Sequence, residues 1–208
     1  EVRSVNFFAE LFSNLGDVVY NTSSGEGASV VTSLEPSVSR MLDEVLYETQ
    51  NTYNSALTGA IVMDPMTGEI IAMNAVPTFD LNERAGATIE EFRNPLVEDV
   101  YEFGSTIKAL TMAAGLDSGA VAPYTTYYDS GSIKLDTYTI SNFDGRGRGT
   151  VDMQQVLNQW LNTGVSFIVD EMGKDQFRDY FLNFKLGSES GIDLPGESFG
   201  LIDNLYAK

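Results

Sequence analysis

The chain has 208 residues, 43 % of them hydrophobic and 20 % charged, which suits one domain of ordinary size with a real core and room for a small appendage. A net charge of −18 argues against DNA, RNA or an anionic membrane surface as a partner, because each phosphate contact would begin with repulsion. Histidine and cysteine are both absent, which excludes Ser-His-Asp and Cys-His catalysis, thiolate chemistry, disulfides and the usual zinc sites. No metal or cofactor is expected.

Val5, Phe8, Leu11, Phe12 and Leu15 fall at helical spacing with Gly16 as a stop, and Asn21 to Ala28 is a polar stretch without periodicity. Residues 1–28 therefore read as an N-terminal helix and linker ahead of a domain over 29–208. No run of about eighteen apolar residues occurs and the chain begins at Glu1, so neither a spanning helix nor a signal peptide is expected, and the chain reads as a processed or excised piece.

Ser29 to Leu34 alternates enough to predict a strand, and Pro36 suits the first turn of a helix over 37–50, whose apolar face is Val38, Met41, Leu42, Val45 and Leu46. A hairpin follows: Gly59–Met63, the turn Asp64-Pro65-Met66-Thr67-Gly68, and Glu69–Ala75. Between Val76 and Tyr101 the pattern lapses into a long polar loop of the kind that serves as a lid or binding wall.

Gly104-Ser105-Thr106-Ile107-Lys108 then delivers a serine to the head of a predicted helix and a lysine three residues later. Residues at this spacing are neighbours on a helix surface, so Lys108 can take or return the proton of Ser105. The helix N-terminus suits an anionic intermediate and lowers the pKa of a nearby ammonium. Of five lysines, Lys108 alone stands three residues after a serine. An N-cap serine followed by a helical lysine accounts for the same spacing without chemistry.

Residues 117–150 read as short extended pieces and turns, including Ser132–Leu135 and Tyr138–Ile140, with Arg146-Gly147-Arg148-Gly149 as a turn. Three helices are predicted over Val151–Leu161, Val165–Met172 and Lys174–Phe184, and Gly191–Glu197 ends the region as a turn-rich strand end.

Six segments in this order resemble the transpeptidase domain of penicillin-binding proteins, of class B type in the serine β-lactamase and D,D-peptidase superfamily. They are the Gly59–Ala75 hairpin, Pro77–Asp80, Gly104–Lys108, Thr125-Thr126, Asn162-Thr163-Gly164 and Gly191–Glu197. The resemblance implies an α+β, β-lactamase/transpeptidase-like fold, an antiparallel sheet with a helical subdomain, here truncated before the strand that carries the family's third motif. It implies Ser105 as the acylated nucleophile, Lys108 as its general base and Asn162 as the amide that positions the substrate backbone. The implied reaction is acyl transfer: the serine attacks a D-Ala-D-Ala carbonyl, D-Ala leaves, and an amine of a neighbouring stem peptide resolves the ester. The implied partners are peptidoglycan stem peptides, β-lactams and other cell-wall synthesis proteins. The implied location is the cell envelope, on the outer face of the bacterial cytoplasmic membrane, with any membrane contact made by a segment outside this chain.

Two departures stand beside the matches. Trp160 occupies the substrate-binding position where the family carries a serine, two residues before Asn162, and Lys-Thr-Gly or Lys-Ser-Gly occurs nowhere in the chain. A smaller one is Phe103, where the family often has proline. A slipped alignment onto Ser166 is the bland explanation of the first. The resemblance thus leaves three readings open: a D,D-transpeptidase, a non-catalytic pseudoenzyme or scaffold of the cell-wall machinery, and a D,D-carboxypeptidase or β-lactamase on the same fold. With Trp160 in place and the third motif missing, a fluorescent penicillin is expected not to label the chain.

Overall fold

The computed structural model describes residues 31–80, 88 and 92–206, so the predicted helix over 5–15 and the linker over 21–28 lie outside the described residues. The fold is α+β, and its strands pair as antiparallel two-stranded ladders. The chain divides after Val76 into two compact units.

In the first unit, helix α1 (Pro36–Tyr53) lies against the hairpin of β1 (Thr58–Met63) and β2 (Ile70–Val76). Pro36 presets the first turn, and Asn54 ends the helix in a left-handed conformation that a short polar side chain tolerates. The register runs from Thr58 opposite Val76 to Met63 opposite Ile70, with an irregularity at Val62/Met63. In the turn, the Asp64 carboxylate accepts from the backbone N–H of Met66 and Thr67, while Gly68 takes φ +80°. Leu46, Ala72 and Val76 are buried. Asn74 crosses from strand to helix, donating to Asp43 at 2.7 Å and to the Ser39 hydroxyl at 2.9 Å. The strand predicted over 29–34 is not formed by its described part. Residues 31–34 pair in no ladder, and instead Ser33 Oγ and the Glu35 N–H bond the carbonyls of Ile70 and Ile71, because Pro36 starts the helix too soon for a strand to continue.

The second unit is built around helix α3 (Ile107–Asp117), which packs on α5 (Asn162–Met172) and α6 (Lys174–Asn183). Its core holds Met112, Ala114, Val121, Met153, Val156, Ile168 and Met172. Gly115 lets α3 and α5 approach: a Cβ there would stand 2.4 Å from Ile168 Cγ2. Strands β3 (Thr126–Asp129) and β6 (Gly149–Asp152) form one ladder, β4 (Ser132–Leu135) and β5 (Tyr138–Ser141) another. Part of the long polar loop is ordered as a short helix, α2 (Pro95–Glu98), capped by the Asn94 side chain.

Two helix starts in this unit differ from those predicted. The helix predicted to start at Val151 starts at Met153, forming α4 (Met153–Asn158), because Asp152 ends β6 and caps the helix by accepting from the Gln155 N–H at 2.9 Å. The next helix begins three residues early, at Asn162. The region 191–197 forms no strand; the Glu197 carboxylate accepts from the N–H groups of Ser190 and Gly191 and folds it into a turn.

Candidate active site

Ser105 lies in a single 3-10 turn, Gly104–Thr106, that leads directly into α3. Gly104 adopts φ +54°, a left-handed conformation that favours glycine and redirects the chain into the turn. Ser105 is exposed, and among the described residues its hydroxyl makes no hydrogen bond. Lys108 follows one turn later on α3 and is buried, with 8 % exposure. Burial pushes its ammonium below the ordinary lysine value. The direction agrees with a base role, although its cause is desolvation rather than the helix terminus expected from the sequence.

Lys108 Nζ does not hydrogen-bond Ser105. It donates to the main-chain carbonyl of Trp160 at 2.6 Å and sits 5.6 Å from the centroid of the indole ring. The local fold explains why that carbonyl is available. After α4 the Leu161 N–H bonds the Val156 carbonyl at 3.0 Å and the Trp160 N–H bonds the Leu157 carbonyl at 3.2 Å. These are the two bonds of a Schellman helix end, and the apolar pair that accompanies it, Val156 and Leu161, is buried at 1 % exposure each. Trp160 occupies the left-handed position of the motif with φ 56°, where glycine is the usual residue. The turn exposes 43 % of the tryptophan and aims its carbonyl at Lys108.

Asn162 opens α5, and its Nδ2 donates to the Ser141 carbonyl at 2.7 Å, which fixes the amide and leaves its oxygen and second N–H for a ligand. Ser166 Oγ is turned back onto the Asn162 carbonyl at 3.0 Å, in the manner of a helix-interior serine. The structure thus joins Lys108 to Trp160, and neither Ser105 nor Asn162 hydrogen-bonds that pair.

Sequence reasoning missed the polar network behind Asn162. Asp129, 1 % exposed, accepts from the Gly131 N–H at 2.9 Å, the Arg148 N–H at 3.0 Å, the Asn142 amide at 2.9 and 3.0 Å and the Thr163 hydroxyl at 2.8 Å. Burial alone would raise this carboxyl, but the hydrogen bonds from Gly131, Thr163, Asn142 and Arg148 outweigh it and hold the group below its ordinary value. Thr163 therefore anchors the start of α5 to β3, and Gly164 lets α5 touch α4, since a Cβ there would stand 2.4 Å from Val156 Cγ2. The Asn-Thr-Gly triplet carried a signal for Asn162 alone, because nothing local announces a buried aspartate thirty-odd residues away. Among the described residues no cluster of metal-ligating side chains occurs, and no helix is long and apolar enough to cross a membrane.

The penicillin binding protein transpeptidase domain model matches residues 58–207. The chain is 28 % identical over 180 residues to the probable peptidoglycan D,D-transpeptidase FtsI of Caulobacter vibrioides, covering 86 % of this chain and 30 % of that protein. It is 32 % identical over 161 residues to the peptidoglycan D,D-transpeptidase MrdA of Acinetobacter baumannii, covering 70 % of this chain and 24 % of that protein. The chain thus spans less than a third of the length of these relatives. Among solved structures it superposes on apo penicillin binding protein 3 of Mycobacterium tuberculosis with a TM-score of 0.78 at 27 % identity, covering 85 % of this chain and 40 % of that one. The order of motifs, the fold and these matches agree: the chain belongs to the penicillin-binding protein transpeptidase domain family.

Proposed function

We propose that this chain forms part of a peptidoglycan D,D-transpeptidase that cross-links stem peptides by serine acyl transfer. Ser105 is the nucleophile, Lys108 its general base, and Asn162 positions the substrate backbone. The observation that carries the reading is the succession of an exposed serine hydroxyl, unbonded among the described residues, and a buried lysine one turn later at the start of α3. Neutral Lys108 takes the Ser105 proton as Oγ bonds the penultimate D-Ala carbonyl. The proton passes to the departing D-Ala nitrogen, and an acceptor amine then displaces Ser105 from the ester. The N–H groups of Thr106 and Ile107 are taken by the Phe103 and Gly104 carbonyls, so the donor this turn offers to the developing oxyanion is the N–H of Ser105 itself. A β-lactam carbonyl enters the same step and halts at the ester. The location that goes with this substrate is the cell envelope, on the outer face of the cytoplasmic membrane, and residues 29–208 serve as one part of the catalytic domain.

A second reading, a non-catalytic scaffold of the cell-wall machinery, is favoured by one observation: Lys108 is bonded to Trp160 and not to Ser105. The two separate in one assay on the full-length gene product, with a soluble peptide ending in D-Ala-D-Ala and an excess of acceptor amine. The transpeptidase reading expects D-Ala release that disappears in Ser105→Ala and in Lys108→Met. Peptide binding without any release of D-Ala overturns it in favour of the scaffold.

A further inference from the structure

Trp160 stands where its own backbone works against it. Left-handed φ suits glycine, strains a bulky side chain, and is required here because the Schellman turn needs it. The residue before it is tied down independently: Arg148 Nε donates to Gln159 Oε1 at 2.9 Å, and Gln159 Nε2 donates to Gln155 Oε1 at 2.9 Å. Arg148 is itself held by Asp144, whose carboxyl the guanidinium's hydrogen bonds bring down to about 2. A turn braced this firmly presents one carbonyl and one ring face to the same nitrogen, Lys108 Nζ.

The two contacts act differently. A carbonyl accepts from an amine or an ammonium, so it fixes where the nitrogen sits. A ring face attracts the cation alone, so it favours the protonated form. Other charges do not decide the matter. Among the described residues Lys108 has no salt bridge, Asp117 on its own helix accepts from Tyr180, and on α6 Asp175 and Asp179 pair with Arg178. Asp152 is spent capping α4, Asp170 on α5 lines a separate cleft with Tyr128 and Ser166, and Glu102, Glu171 and Lys174 are exposed.

We propose that Trp160 is a positioning residue that clamps Lys108, its carbonyl fixing the nitrogen and its indole face holding the ammonium form, so that the Ser105–Lys108 pair rests disengaged. The inference rests on the reading of Ser105 and Lys108 as nucleophile and base. Before Ser105 Oγ can bond a carbonyl carbon, Lys108 must give its proton to solvent and leave the ring face; it then takes the serine proton. Trp160 governs the first of these steps and acts on Ser105 only through Lys108.

The test is the titration of Lys108 in the full-length gene product carrying side-chain 13C-lysine, read by NMR for the wild type, Trp160→Phe and Trp160→Gly. Loss of the resonance in Lys108→Arg gives the assignment. Penicillin acylation rates are followed against pH in the same samples. In Trp160→Gly, which keeps the turn and the carbonyl, the Lys108 midpoint is expected to fall by about half a pKa unit, and the rising limb of acylation to move with it. Trp160→Phe keeps most of the wild-type value. A midpoint unchanged or raised in Trp160→Gly, or an equal fall in Trp160→Phe, overturns the clamp. A shifted midpoint with no acylation at Ser105 in any variant upholds the clamp and overturns the nucleophile reading; acylation at Ser105 with an unmoved midpoint does the reverse.

Discussion

Thr163 donates its hydroxyl to the carboxylate of Asp129 at 2.8 Å, and both side chains are 1 % exposed. The bond fastens the first turn of α5 to the end of β3, and thereby fixes the main chain that carries Asn162. With its proton committed to Asp129, Thr163 Oγ1 is the acceptor for Tyr127 Oη at 3.0 Å. Replacing Thr163 with valine keeps the shape and removes the hydroxyl from a buried carboxylate and a half-buried phenol. Urea unfolding is expected to show a loss of about 1–3 kcal/mol. A change inside ±0.5 kcal/mol means the network does not hold α5.

Asp129 also predicts how stability depends on pH. Its folded pKa is depressed, so its contribution is fully present above the unfolded carboxylate value and is lost as pH falls through the folded one. Wild type is therefore expected to exceed Asp129→Asn in stability at neutral pH, and the gap to narrow as the solution is acidified below the ordinary carboxylate range. Denaturant midpoints of the two proteins across that range check it. A gap independent of pH contradicts the assignment.

Gly164→Ala places a methyl group 2.4 Å from Val156 Cγ2, 2.7 Å from Val156 Cγ1 and 3.0 Å from the Tyr127 hydroxyl. The α4–α5 contact has to open, at an expected cost of about 1–3 kcal/mol. Adding Val156→Ala makes room for the methyl, so the double variant is expected to lose less than the sum of the two single losses. Additive losses in a thermal or chemical melt count against the packing explanation.

The hairpin, the helix beginning at Pro36 and the Ser105–Lys108 spacing were legible in the sequence because each is a local pattern: alternation, a 3.6-residue period, a turn glycine. The motif order carried the family as well. What escaped were features created by the chain meeting itself at long range. The Asp129 carboxylate is satisfied by groups two to thirty-four residues away, and the Lys108 partner lies fifty-two residues along. Trp160 was visible as a departure, but its role as the left-handed residue of a helix end depends on bonds from Trp160 and Leu161 back to Leu157 and Val156, which no spacing rule supplies. The described part of the strand expected at 29–34 forms no ladder for a local reason, the helix start at Pro36.

That backbone conformation makes the stability of Trp160 variants distinctive. Glycine accepts φ 56° freely, whereas a β-branched residue does not. Trp160→Gly is expected to unfold no earlier than wild type, despite losing a large side chain, and Trp160→Val to lose about 1–2 kcal/mol. Differential scanning calorimetry of the pair checks this, and equal destabilisation of both would argue against left-handed strain.

Ser105→Ala removes an exposed hydroxyl that makes no hydrogen bond among the described residues, so its unfolding free energy is expected to stay within about 0.5 kcal/mol of wild type. Any loss of reactivity in that variant is then chemical rather than structural. A clear loss of stability in urea denaturation would show that the hydroxyl has a structural part.

The central claim is that Ser105 is an acyl acceptor restrained by Trp160 through Lys108. Its most direct measurement is the rate of covalent labelling of the full-length gene product by a fluorescent penicillin, with the modified residue located by peptide mass spectrometry. Slow labelling is expected in the wild type. Labelling of Ser105 is expected to be faster by about threefold in Trp160→Gly, as a fall of about half a pKa unit at Lys108 requires, and to be absent from Trp160→Gly/Ser105→Ala. Label that persists in the double variant, or a Trp160→Gly protein that acylates no faster than wild type, would contradict it.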